Sequence, residues 1–234
     1  ELENSLQTDI ELLWCTDEVR RDRPSVMDEV STVVTYMEDR LLTAVAHVND
    51  SVQHAFETVF GEPLGFQVQI PLGSWVAGDR DGNPFVTPEI TTAAARRTAH
   101  ALLGYYKRRV AELTERLSIS DRIATAPAEL RASLNKDKEL LPAVWEANQR
   151  RDVHEPIRLK LTYIAARLER TREQIAARDA GRPSLVHGAY QTSAELLADL
   201  QLVRGAVAAA QATLTLQRTV DPLLSQVQAL GFHG

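Results

Sequence analysis

The chain has 234 residues, 44% of them hydrophobic and 25% charged, the usage of a soluble globular protein, and a chain of this length buries roughly 70% of its unfolded surface. Its 26 basic side chains against 32 acidic ones leave a net charge of −6, which offers no general attraction to nucleic acid or anionic membranes. A single cysteine, Cys15, excludes an intramolecular disulfide framework and the paired-Cys zinc spacings, and makes a reducing, cytoplasmic setting the default.

The first predicted element is a helix in "SLQTDIELLWCTDEVRRDRP", where Leu6, Ile10, Leu13 and Trp14 recur at helical spacing and Pro24 stops the run. Trp14 reads as core. Ser25 opens a second, long helix, straight or kinked, with an apolar stripe at Val26, Val30, Val33, Met37, Leu41, Val45, Val48, Val52, Phe56 and Val59, ended by "GEPLG". The period then changes. In residues 66–76, Phe66, Val68, Ile70 and Leu72 alternate with Gln67, Gln69, Pro71 and Gly73, the repeat of a strand. A lone strand leaves its backbone groups unpaired, so its neighbours are expected outside the chain.

Thr87-Pro88-Glu89 restarts helix with a cap, a proline that needs no N–H, and an acid at the positive end of the dipole. Leu102, Tyr106, Val110, Leu113 and Leu117 form its apolar face. Further helices are expected in "PAELRASLNKDKEL", from Pro156 with Ile157, Leu161, Ile164, Leu168 and Ile175 in register, and in "TSAELLADLQLVRGAVAAAQATL". A final short helix starts at Asp221-Pro222 and is closed by Gly231. Trp145 reads as core. The expected architecture is mainly α, one helical piece of residues 1–234: helical over 1–60, a strand over 66–76, a loop over 77–87 and helical over 88–234. The start at Glu1 rather than Met and the end at Gly234 read as those of an internal piece of a longer protein.

The densest polar stretch is "GSWVAGDRDGNP", Gly73 to Pro84, between the strand and the capped helix. In parallel α/β folds such turns converge on the active-site mouth. Gly82 is the residue expected to take a positive φ. A calcium loop starting at Asp79 fails, because Pro84 and Ile90 stand where glycine and glutamate are required. Two readings stay open on spacing alone. Asp79, Arg80 and Asp81 tie the turn together through local hydrogen bonds, or they build an anion or metal site.

His47 and His54 lie about 10 Å apart along one helix, too far for a common metal, and read as solvated. His100, His154, His187 and His233 have no ligand-like neighbours in sequence. Arg20, Arg21 and Arg23 beside Asp17, Glu18 and Asp22 read as a surface ion-pair network.

"GSWVAGDRDGNPFVTPEIT" closely resembles the GSW-x-GGDRDGNP-x-VT segment of phosphoenolpyruvate carboxylases, departing at Ala77 where that family usually has glycine. "LLWCTDEVRRDRPSVMDEV" and "TVDPLLSQVQALGFH" resemble further segments of the same family, in order. The resemblance implies part of an enzyme that joins bicarbonate to phosphoenolpyruvate, giving oxaloacetate and phosphate with Mg2+ or Mn2+, on a larger α/β fold with a βα barrel. It implies a homo-oligomer, a tetramer in such enzymes. It gives Arg80 and Asp81 a catalytic role and makes Trp75, Gly78, Asp79, Gly82 and Asn83 pocket lining, although Trp75 could equally be a packed aromatic. It makes Arg20 and Arg21 contacts for a phosphorylated activator. The family's TAHPTE, GYSDSxKD and RxGRGGGxGRGGGP motifs are absent from these 234 residues, so the chain alone is expected to be inactive and to hold no metal ligands. The competing reading is a non-catalytic helical scaffold or interaction module on the same frame.

Overall fold

The computed structural model describes residues 2–16, 24–64, 68, 70–182 and 185–232. Among the described residues the chain is mainly helical, as its periodicity predicts: α1 (Leu2–Cys15), α2 (Val26–Tyr36), α3 (Leu42–Phe60), α4 (Pro88–Arg116), α5 (Ala128–Leu140), α6 (Pro142–Asn148), α7 (Pro156–Asp179), α8 (Ser193–Ala209) and α9 (Thr213–Leu230). The short α6 has no counterpart among the predicted elements.

α2 starts at a capping box. The Ser25 hydroxyl accepts from the Asp28 amide while the Asp28 carboxylate accepts from the Ser25 amide. α2 and α3 form one helix joined through a π-helical turn, Met37–Leu41. That wide turn inserts a residue and rotates everything after it. The predicted stripe is therefore displaced at this point: Leu41 is 40% exposed and Leu42 fully buried, and Asn49 is buried in place of Val48. Val52, Val59 and Phe60 are exposed as well.

α4 carries the core. Its Thr87 side chain accepts from the Ile90 amide and Pro88 occupies the first turn, and Leu102, Tyr106, Val110, Leu113 and Leu117 are all buried as expected. Its principal partner is α7, whose Ile157, Leu161, Ile164 and Leu168 are buried against it. α8 packs on α9, and α3 lies on α9.

Four expectations are corrected. The described residues of 66–76 form no strand, because nothing in the described chain supplies the ladder that extended backbone needs; the Leu72 amide donates instead to the Ala229 carbonyl of α9 at 2.9 Å. Phe66, Gln67 and Gln69 lie outside the described residues. The last helix begins at Thr213 and contains Pro222 in its interior; the break falls earlier, at Gln211 with φ 59°, so α8 stops at Ala209. Trp14 is not core but 89% exposed, together with Leu6, Ile10 and Leu13 on α1, since no other described element packs on that helix. Trp145 packs on the buried cluster of Leu141, Leu159 and Tyr163 as expected of a core residue but is only half-buried, with the Lys138 ammonium 4.3 Å from its ring centre.

One polar cluster is sealed between α5, α7 and α8. The Lys160 ammonium, with no exposed surface, donates to Asp137 (2.7 Å), contacts Asp199 (2.7 Å) and donates to Ser133 (2.8 Å). Asp199 also accepts from Arg167 (3.0 Å) and from the Tyr190 hydroxyl (2.7 Å), and Arg167 lies over the Tyr190 ring at 3.8 Å.

Candidate functional site

Residues 74–87 fold as a chain of tight turns between α2 and the start of α4. The first closes through the Gly78 amide on the Trp75 carbonyl at 3.0 Å, with Ala77, its third residue, at φ 62°. The second closes through the Asn83 amide on the Arg80 carbonyl at 3.3 Å, with Gly82 in the third place at φ 69°. Both positions demand the left-handed region that glycine occupies freely. Gly82 takes the positive φ expected of it, and Ala77 explains why glycine suits its own position.

The polar side chains of the loop divide into two kinds. Asp79 accepts from the Asp81 amide at 3.0 Å, and Asn83 Oδ1 accepts from the Phe85 amide at 3.1 Å, so both act as local braces. The Asp81 amide, with the Trp75 side chain adding to it, holds the Asp79 carboxyl below the usual aspartate range. Arg80 and Asp81 are exposed, and their side chains make no direct hydrogen bond or ion pair among the described residues. Arg80 acts only at longer range, on Glu89, whose carboxyl is held low first by its own backbone amide and then by the Thr87 side chain.

The loop is anchored at its base. Ala77 is buried against Val30, Val34 and Ala94, with Val76 and Ile90 beside them, and its carbonyl accepts from the Thr91 hydroxyl of α4 at 2.7 Å. Beneath it lies a cavity of about 140 Å³ lined by Val30, Val33, Val76, Ala77, Thr91 and Ala94, among others. Gly78 also borders that cavity, whereas Asp79, Arg80, Asp81 and Gly82 stand outside it, exposed. Trp75 is 77% exposed and makes its contact with Asp79 rather than packing inward.

A larger groove of about 640 Å³ between α3, α8 and α9, bounded by Asn49, Asp50, Gln53, Arg204, Asp221 and Gln228, contains none of the catalytic, pocket-lining or activator residues expected from the sequence. Among the described residues, no three His, Cys, Asp or Glu side chains come together as a metal would require. In the loop, Asp79 is already engaged by backbone and Asp81 stands alone, so these residues do not fit a divalent metal. His47 and His54 are exposed, while Arg20, Arg21, Arg23 and His233 lie outside the described residues. Sequence reasoning passes over Thr91, because a helical threonine ordinarily bonds to its own preceding turn, as Thr92 and Thr98 do.

The family model described as phosphoenolpyruvate carboxylase matches residues 1–233. The chain is 34% identical to the phosphoenolpyruvate carboxylase of Trichormus variabilis over 237 residues, covering 100% of this chain and 23% of that protein. It is 35% identical to that of Roseiflexus castenholzii over 97% of this chain and 25% of the relative. Against the Synechocystis enzyme the identity is 32%, over 97% of this chain and 22% of the relative. The chain thus spans about a quarter of the length of the curated relatives it matches.

Proposed function

The chain belongs to the phosphoenolpyruvate carboxylase family, and from that premise we propose that it is the part of such an enzyme that presents Arg80 and Asp81 to the reacting anions. The observation that carries the reading is the division of labour in the loop: Asp79 and Asn83 hold the turn, while the Arg80 side chain has no direct partner among the described residues. An unpaired guanidinium is a planar fork matched to phosphate and carboxylate oxygens. It is an extravagant choice for a turn that the neighbouring side chains already close.

In the proposed reaction, bicarbonate oxygen attacks the phosphorus of phosphoenolpyruvate, breaking its bond to the enol oxygen and leaving carboxyphosphate and an enolate. Carboxyphosphate separates into phosphate and carbon dioxide, and the enolate carbon adds to carbon dioxide to give oxaloacetate. Negative charge spreads onto phosphoryl and enolate oxygens along this path. A fixed guanidinium at such oxygens favours the transition state over the ground state. Asp81, next to Arg80 on the same turn, places a negative charge beside the guanidinium.

The remaining assignments rest on the family alone: a cytoplasmic homo-tetramer using magnesium or manganese held by polypeptide other than these described residues, with Trp75, Gly78, Asp79, Gly82 and Asn83 at the pocket rim and Arg20 and Arg21 toward an activator. Among the described residues no helix is long and apolar enough to cross a membrane. The chain by itself is proposed to be inactive. The test is kinetic, in the full-length enzyme. Arg80→Ala and Asp81→Ala each lower turnover at least tenfold, about 1.4 kcal/mol of transition-state stabilisation, with unchanged thermal unfolding. Wild-type kinetics in both would reduce the loop to a structural turn and favour a non-catalytic module.

A further inference from the structure

We propose that Thr91 is a positioning residue: by holding the Ala77 carbonyl, its hydroxyl fixes the direction in which Arg80 and Asp81 leave the α2–α4 scaffold. The inference rests on the reading that this loop serves the reaction.

The Thr91 hydroxyl has one proton and two acceptors in reach, the Ala77 carbonyl at 2.7 Å and its own helix's Thr87 carbonyl at 3.1 Å. The nearer is the one outside the helix. Thr92 and Thr98 on the same helix bond only to Pro88 and Ala94, one turn back. Thr91 is therefore the α4 threonine that reaches across to the loop, joining residues fourteen apart in sequence.

The bond matters because it holds the carbonyl of a residue in the left-handed region. Ala77 is an L-residue at φ 62°, a conformation that is strained unless the surroundings enforce it. Packing on Val30, Val34 and Ala94 holds the Ala77 side chain, whereas its carbonyl, at the border of the cavity of about 140 Å³, is held by the Thr91 hydroxyl. Release of the carbonyl would let the Val76–Ala77 and Ala77–Gly78 peptides rotate toward ordinary φ. Every residue after them, Arg80 included, would change direction with that rotation.

Thr91→Val keeps the shape and removes the donor; Thr91→Ser keeps the donor. In full-length enzyme, amide exchange across residues 78–83 is expected to quicken about two- to tenfold in Thr91→Val, the range lost with one hydrogen bond, and to stay at the wild-type rate in Thr91→Ser. In the same Val variant, kcat falls and KM for phosphoenolpyruvate rises, with Ser restoring both. Loss of folded enzyme would lower kcat alone. On an Arg80→Ala background the Val substitution adds little further loss, because both act through one guanidinium. Should Thr91→Val reduce the folded yield, Thr91→Ala asks the same question with a smaller side chain. Unchanged exchange in the donor-less variant overturns the positioning role itself. Faster exchange with wild-type kinetics instead overturns the catalytic reading beneath it.

Discussion

Removing the ammonium of Lys160 isolates one carboxylate more than the other. In Lys160→Met, Asp199 keeps Arg167 at 3.0 Å and the Tyr190 hydroxyl at 2.7 Å, whereas Asp137, itself buried, loses its one direct ion-pair partner among the described residues, 2.7 Å away. Breaking a buried pair from one side costs about 3–5 kcal/mol; with a single orphaned carboxylate the expected loss is about 3 kcal/mol, or roughly 6–12 °C in Tm for a chain of this size. The loss should depend on pH. Burial already raises the Asp137 carboxyl above its ordinary 3.8, with Lys160 opposing, so removing Lys160 raises it further. A carboxyl raised in the folded state is protonated there while still ionised in the unfolded chain, so the folded form loses stability as pH rises through that window. The deficit of Lys160→Met is accordingly largest near neutrality and shrinks on acidification toward 4. Urea denaturation between pH 4 and 7.5 measures both effects, and Lys160→Met/Asp137→Leu should recover most of the deficit. A loss below about 1 kcal/mol, a pH-independent deficit, or a double variant as unstable as the single one would refute the account of this cluster.

Two glycines should respond in opposite directions to the same methyl. Gly82→Ala meets no atom within 4 Å but must hold φ 69°, so it is expected to lose about 0.5–1 kcal/mol; Gly205→Ala, inside α8 with open space around it, should gain a similar amount, and thermal unfolding reads both signs. Burial first, and then the Arg172 guanidinium, hold the half-buried His100 imidazole below its ordinary 6.5, with Arg172 donating to its Nε2 at 3.3 Å. The unfolded chain therefore takes up a proton that the folded one resists, and stability falls as pH drops below about 6.5. His100→Gln, which can still accept from Arg172, should flatten that dependence between pH 7 and 5 in denaturant midpoints; an unchanged slope would remove His100 from the balance.

The helices were legible because their signals are local. The Ser25 and Thr87 caps and the runs Leu102 to Leu117 and Ile157 to Leu168 each declare a buried face within a few turns. The errors occur where a distant contact or a backbone irregularity decides. The π turn at Met37–Leu41 has no signature in a stripe counted by threes and fours, so Leu41 stands in the pattern where Leu42 stands in the core. Pro222 reads as a helix start because it removes a donor, yet the α3 and α8 surfaces against α9 carry the helix through it. Trp14 reads as core because apolar residues at helical spacing imply a partner surface, and the described chain contains none for α1.

The loop shows the same division more sharply. Composition alone marks Gly73–Pro84 as a turn of unusual polarity but treats Asp79, Arg80, Asp81 and Asn83 as equivalent. Geometry separates them: two accept from amides two residues on, and two do not. A side chain spent on its own backbone is unavailable to a ligand, and one that the turn leaves over is retained at the cost of a solvated, rotamer-rich side chain for some other reason. That is why Arg80, rather than the aspartates as a group, is the residue on which the functional reading stands. The anchor at Ala77 and Thr91 determines where that residue points.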